Sequence, residues 1–481
     1  MIFKSGNARP MQCAAWLALV AGLGGCASTA QDQSIAKANA TLKTLGQGPL
    51  ALTLSADQTV ALTKKSSALL ANELAQNQAV ELALTNSPQF QVLLAQAWVD
   101  SAMAAQSGRI ANPLFLFERT RIGSELELAR LFSFGLLDLL TLPARAKSAN
   151  ARVEQVQLQL VANLVDQVTL VRTAWVKAVG AQQSFLYAEQ VFDSAQASAE
   201  LAKRMLVAGN FNKIMRARQQ VFYADAATQL ALSQAKVSAS REQLVRALGL
   251  TDAQALLLKI PQRLPDLPKA PRQPEDVSAK AAQQRIDVQM SQAMLRIIAT
   301  QQGLKNIESW TDIEVGFRRD TVFEGQVQNA GNPALARRGF EVGVRLPIFD
   351  SGELKRELMT AQMLAAISQA EATVRAANSH LRESYSNYRT AWDIAQHYRE
   401  EIIPLRKLIL DENVLRYNGM IIGVFDLLAD SREQIRSVIA AIEAEQQFWL
   451  NDVAIQTAIL GKPATMSLGQ SASSASDSPA H

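Results

Sequence analysis

Apolar residues recur at alternating spacings of three and four through most of this chain. From Val171 the positions are Val171, Ala174, Ala178, Ala181, Phe185, Ala188, Phe192, Ala195, Ala199, Ala202 and Leu206, all apolar. A second seam starts at Met363. It continues through Ile367, Ala370, Val374, Ala377, Leu381, Ser384, Tyr388, Ala391, Ala395, Tyr398, Ile402, Leu405 and Ile409, interrupted only by Ser384. A period near 3.5 predicts long helices packed along one stripe. The small alanines let backbones approach closely, as a curved helical wall requires, and a plain helical bundle would use the same pattern. The expected long helices cover 144–207 and 353–417. Each is followed by a glycine, Gly209 or Gly419, and by a further helix, 212–249 or 421–459. A continuous helix from Ala144 to Ala208 would run on the order of 95 Å, far beyond a globular helix. Pro404 predicts a kink in the second.

A different period appears at four places. Thr311, Ile313, Val315 and Phe317 alternate with Asp312, Glu314, Gly316 and Arg318. Phe340, Val342, Val344 and Leu346 alternate with Glu341, Gly343 and Arg345. The earlier stretch "NPLFLFERTR … SELELARLF" is weaker, with Leu126 and Leu128 set against Glu125 and Glu127. A period of two predicts strands with unlike faces, near 112–132, 311–320 and 339–347. A soluble half-buried sheet gives this alternation, and so does a membrane barrel built of strands about nine to eleven residues long. In hydrocarbon every backbone polar group must be paired, so four strands cannot stand as an open sheet. Barrels of this kind need at least about eight strands, so copies must combine, about eight strands from two and about twelve from three. Only the larger ring leaves an aqueous interior. On that reading Asp312, Glu314, Arg318, Glu341 and Arg345 line a pore shared between subunits.

The order helix, strand pair, long helix, glycine turn, helix occurs twice, which predicts an internal repeat. The first repeat spans 55–260 and the second 276–460. Between them, residues 261–275, "PQRLPDLPKAPRQPE", form a proline-rich connector expected to lie against the helices. The end, 461–481, is low-complexity and expected to be disordered.

The N-terminal stretch adds an address. Lys4 and Arg9 precede a short apolar run, too short for a permanent membrane helix, that ends in Leu23-Gly24-Gly25-Cys26. This resembles a bacterial lipobox. The resemblance implies a signal peptide over 1–25 and acylation of Cys26, with 26–54 a lipid-anchored segment. Ala27 and Ser28 follow, which in the resembled lipoproteins goes with sorting to the outer membrane.

Composition mainly excludes. The 481 residues carry 48 Lys+Arg against 44 Asp+Glu, so nothing points to a nucleic-acid partner. Both cysteines, Cys13 and Cys26, lie in the leader region, which leaves no disulfide framework or thiolate metal site. The three histidines, His380, His397 and His481, have no metal-ligand spacing. No nucleophile elbow or phosphate loop is present, so neither an enzyme nor a bound cofactor is expected.

Together the lipobox, "RIANPLFLF", "VRLPIFDSGE", the turns at Gly209 and Gly419, and "LRYNGMIIGVFDLLADSREQI" resemble the TolC-type outer-membrane efflux family over roughly Ser55 to Leu460. The resemblance implies a mainly α fold with a small membrane β-barrel. Long antiparallel helices and four strands per chain would assemble as a homotrimer, with a twelve-stranded barrel and a helical tunnel crossing the periplasm. It implies docking to a periplasmic adaptor and an inner-membrane pump through the helix turns, at Gly209, Asn210, Arg416, Tyr417, Asn418 and Gly419. It also implies a gated entrance. Asp426 and Asp430 follow the second turn, whereas Lys213, Arg216 and Arg218 follow the first, so salt bridges are an alternative to an acidic gate. The stretch Leu415 to Ile435 resembles a branch associated with heavy-metal, especially copper, resistance. The competing reading is a lipid-anchored periplasmic scaffold or adaptor without a pore, which has no need of lipid-length strands with ionic faces.

Overall fold

A computed structural model describes residues 26–44, 48–53, 55–123, 125–308, 312–323, 335–345 and 352–461. The expected leader, the tail beyond Gly461, and the strand-flanking Thr311, Leu346 and Pro347 lie outside them. The chain divides into two compact units. The first gathers Met1–Ser34, Gln96–Gln159 and Val288–Val374, and the second Ile35–Ala95, Leu160–Asp287 and Arg375–His481.

The elements follow in the order α1 (Cys26–Thr44), α2 (Ala56–Leu70), α3 (Gln76–Asn86), α4 (Pro88–Gln106), β1 (Leu114–Ile122) and β2 (Glu125–Gly135). Next come α5 (Leu136–Val207), α6 (Lys213–Leu248), α7 (Asp252–Leu257), α8 (Pro274–Gln284), α9 (Ile286–Glu308), β3 (Asp312–Phe323) and β4 (Leu335–Arg345). Last are α10 (Glu353–His397), a π turn (Tyr398–Ile402), α11 (Ile403–Asn418) and α12 (Val424–Leu460). The fold is thus mainly helical with one four-stranded antiparallel sheet. The helix α5 is 72 residues long and starts well before 144, with Pro143 in its interior.

In the first unit the strands pair in sequence order, β1-β2-β3-β4, all antiparallel. The end of α4 lies close against α5. A Cβ on Gly108 would sit 2.7 Å from that of Ala149, so glycine permits the approach. Arg296 on α9 reaches Glu154 on α5 at 2.8 Å.

In the second unit α5 and α12 run antiparallel. Thr169 meets Thr457 at 2.8 Å, the Arg172 guanidinium donates to Gln456 at 2.5 Å, and Gln183 donates to Glu445 at 3.1 Å. Gly180 leaves room for Gln446, whose side chain would lie 2.7 Å from an added Cβ. The alanine seam of α5 is buried at Ala174, Ala178, Ala181, Ala188, Ala195 and Ala202. The connector is strapped down by donors on the helices, because prolines offer carbonyls and no N–H. Trp449 donates to Pro265 O at 3.0 Å, Trp392 to Pro268 O at 3.2 Å and Tyr385 to Arg272 O at 3.1 Å. Beneath it Tyr388, Ala391, Phe448 and Ile455 form an apolar core with Leu267, Val277 and Ala281. Burial holds the Tyr388 phenol above its usual pKa. Nearby, Arg285 and Asp287 form a buried two-point ion pair, at 3.0 and 2.5 Å, and Arg285 also donates to Ala377 O and Ala458 O.

The second seam departs from expectation after Tyr398. It is buried at Ala377, Leu381, Tyr388, Ala391 and Ala395, but Leu405 is 56% and Ile409 42% exposed. The partly shielded positions there are Ile402, Ile403, Arg406, Leu410 and Asn413, so that Arg406 and Leu410 take the places expected for Leu405 and Ile409, one residue later. Pro404 is the cause. It has no N–H, and its ring crowds the carbonyl four residues back. The chain answers with a π turn, in which Ile403 N–H donates to Tyr398 O, and restarts the helix with Pro404 in its first turn. The inserted residue displaces the seam by one position.

Candidate functional site

The sheet separates charge by face. Side chains alternate along each strand, and residues opposite each other in register share a face. The register puts Arg345 opposite Asp312, and Glu341 opposite Gly316. With Glu314 and Arg318, both on the parity of Asp312, the five expected charged positions therefore share one face. Every other carboxylate-bearing position of the strands, Glu118, Glu125, Glu127 and Asp320, is on that face too. Arg318 holds the buried Asp320 at 2.8 Å. Gly316 leaves room for its neighbours, since an added Cβ would meet Glu341 Cγ at 2.8 Å and Leu131 Cδ1 at 3.0 Å and those side chains would have to shift.

The opposite face is apolar toward one end of the strands. Phe115, Phe132, Phe317 and Phe340 form one row across the sheet, and Phe134, Val315 and Val342 the adjacent row. Phe134 and Phe317 stack at 6.4 Å. The next row outward breaks the pattern. Arg130, Arg319 and Arg338 are direct cross-strand neighbours there, and Arg119 lies one row further. These arginines were missed in the sequence. The signal was available in the doublets Arg318-Arg319 and Arg337-Arg338, because adjacent strand residues point to opposite faces.

The helix turns belong to the second unit. After α5, Gly209 takes φ +79°, and Asn210 N–H reaches back to Met205 O at 2.9 Å to close the helix end. Asn212 then caps α6, its side chain accepting from Met215 N–H at 2.9 Å. The second turn is built differently from the first. Gly419 has φ −79°, and the left-handed residue is Met420, at φ +57°. Met420 is 93% and Ile421 76% exposed. Leu415, Val207 and Ile214 are exposed as well, so apolar groups crown both turns. Asn210, Asn418 and Tyr417 are exposed, and Arg416 lies 3.6 Å from Glu412 on its own helix.

The four gate candidates do not pair with one another. Lys213 and Arg216 are exposed on the first turns of α6. Asp426 closes the N-terminus of α12, accepting from Gly423 N–H at 3.3 Å. Asp430 accepts from Asn413 on α11. Within the chain, among the described residues, no ion pair joins Lys213 or Arg216 to Asp426 or Asp430. The link between α6 and α12 is Arg432, which sequence reasoning overlooked. It donates to Gln219 at 2.9 Å and lies 4.4 Å over the Phe222 ring. Burial draws its pKa down, Arg436 adds to this, and Asp225 opposes it.

Among the described residues no cluster of His, Cys, Asp or Glu could hold a metal, and no helix is long and apolar enough to cross a membrane. The latter says nothing of strands.

A long-helix fold carrying a four-stranded antiparallel sheet is the fold of TolC-type outer-membrane channels. Three solved structures with this fold carry the comparison. A membrane protein from Pseudomonas aeruginosa matches with TM-score 0.66 at 18% identity, over 80% of this chain and 93% of that one. The outer membrane protein VceC from Vibrio cholerae matches with TM-score 0.66 at 14% identity, over 81% and 96%. The open state of the MtrE outer membrane channel from Neisseria gonorrhoeae matches with TM-score 0.60 at 17% identity, over 80% and 89%. No protein-family model matches the sequence, and no curated protein does either.

Proposed function

We propose that this chain is one subunit of a passive outer-membrane efflux channel, the exit duct of a tripartite export system. The observation that carries the reading is the sheet, which among the described residues is open along both edges and carries its carboxylates on only one face. In lipid those edges must be paired, and copies of the same sheet are the available partners. Three copies would close about twelve strands around a water-filled lumen. Asp312, Glu314, Arg318, Glu341 and Arg345 then line the lumen, and the phenylalanine and valine rows meet lipid. The fold shared with solved outer-membrane channels supports this assignment.

The exposed turns around Gly209 and Gly419 are the proposed docking ends for a periplasmic adaptor that connects to an inner-membrane pump. Exposed apolar groups such as Met420 and Ile421 supply a surface for a partner to bury. Lys213, Arg216, Asp426 and Asp430 stand near these ends as entrance charges, to be matched between subunits rather than within one. The duct holds its cargo only by passage, so energy comes from the pump.

Deleting the gene in a strain stripped of other ducts should sensitise cells to at least one class in a panel of metals, dyes and antibiotics, by about tenfold or more. Restoring the wild type should reverse this, and restoring Met420→Asp/Ile421→Asp should not. In parallel, the purified protein should conduct ions across planar bilayers. No conductance, together with no sensitised class, would leave the scaffold reading in its place.

Cys26, the first residue of α1, is the proposed lipid anchor. Cells fed labelled palmitate should label the wild type and leave Cys26→Ser unlabelled. Equal labelling of the two would remove the anchor from this account.

A further inference from the structure

The row Arg130–Arg319–Arg338 is an anomaly on its own face. Every carboxylate-bearing position of the four strands is on the opposite face, so these arginines have no acid beside them. Directly opposed residues on neighbouring strands have their Cβ atoms only about 4.5–5.5 Å apart, and like charges there repel. Three guanidinium groups side by side are therefore unfavourable unless an anion lies over them. None of the three makes an ion pair or a side-chain hydrogen bond among the described residues. Arg319 and Arg338 are exposed and Arg130 is partly so.

Position along the strand narrows the anion. The arginine row follows immediately on the row of Phe115, Phe132, Phe317 and Phe340, on the side of the hairpin ends. Two strand residues advance by about 6.6 Å. An arginine stem that long can lie along apolar surface while its head reaches the polar zone. Guanidinium forks match phosphate oxygens two at a time, which lysine does not do.

We propose that Arg130, Arg319 and Arg338, supported by Arg119, form a binding site for phosphate groups of lipid headgroups in the leaflet around the hairpin ends. The site rests on the reading of the sheet as part of a membrane barrel. It gives the outer wall of that barrel a fixed depth, because the row can be neutral only where headgroup phosphates lie. No bound anion inside the lumen is involved, since the row faces away from the strand carboxylates.

The test uses full-length protein reconstituted into vesicles of phosphatidylcholine alone or with one fifth bisphosphorylated lipid A. Insertion is read first, as a heat-modifiable band on unboiled gels. Retention of fluorescent lipid A by the repurified protein is read next. Wild type should retain it at least fivefold better than Arg130→Gln/Arg319→Gln/Arg338→Gln, with the advantage falling as salt rises. Arg130→Lys/Arg319→Lys/Arg338→Lys should be intermediate, and Arg337→Gln, on the other face, should match wild type. Equal retention by wild type and the triple Gln variant overturns the site, and so does full competition by inorganic phosphate at equal concentration. If the wild type inserts into neither vesicle, the barrel reading falls and the lipid site with it. If it inserts and the triple variant loses nothing, only the lipid site falls.

Discussion

Val342→Arg should abolish insertion of the protein into the outer membrane. Val342 lies opposite Val315 on the face without carboxylates, two rows inside the arginine row. A cation at the bilayer midplane costs about 2–4 kcal/mol on the lipid face of a barrel strand. In a symmetric trimer the charge appears three times, so the penalty reaches about 6–12 kcal/mol, comparable to the whole stability of many proteins. The heat-modifiable band should vanish from the membrane fraction, leaving chain in the periplasm or degraded. Val322→Arg serves as the partner experiment. Val322 is on the charged face, opposite Glu127 and Leu335, and a cation there should leave insertion intact. If the two variants behave alike, the sheet does not present one face to lipid.

The second large effect is expected from Arg285→Ala. Arg285 and Asp287 are both buried, and the guanidinium also serves Ala377 O and Ala458 O. Taking away the cation leaves Asp287 inside without its charge partner, a loss of about 3–5 kcal/mol. Urea midpoints followed by tryptophan fluorescence should drop accordingly. Replacing both at once, Arg285→Met/Asp287→Leu, should recover most of the loss, because an apolar pair carries no desolvation cost. A single variant that loses less than about 1 kcal/mol would mean the pair is incidental to folding.

The helices and strands were legible because each follows from one period. Alanines at alternating three and four gave the stripe of α5, and the buried set Ala174 to Ala202 follows it closely. Alternation marked β3 and β4 cleanly and β2 weakly, while in β1 the run Leu114 to Phe117 is apolar throughout. Less legible were the features fixed by tertiary geometry. The left-handed residue of the second turn is Met420 and not the neighbouring glycine, because the helix end places the reversal one residue later. The helix over Cys26–Thr44 was not expected. Its Asn39 holds Leu50 by two hydrogen bonds, 2.7 and 3.1 Å, a long-range clamp with no local signature. Arg432 reads in the sequence as one more helical surface charge, yet it ties α6 to α12. The arginine row emerges only when register is known. Each arginine alone is an ordinary strand residue, and their juxtaposition comes from pairing Arg130 with Arg319, 189 positions along the chain, and Arg319 with Arg338.

The π turn at Tyr398–Ile402 makes the far end of that helix a matter of counting. One residue corresponds to about 100° of rotation. A homologous chain with one residue more at this point and the same backbone path would swing the surface bearing Leu405 and Ile409 round to where Arg406 and Leu410 now lie. Which groups reach a docking partner would then change with no substitution at the contact itself. The orientation of the tip is in effect stored as a length, and insertion or deletion upstream is the simplest route by which such a chain could be retuned to another partner.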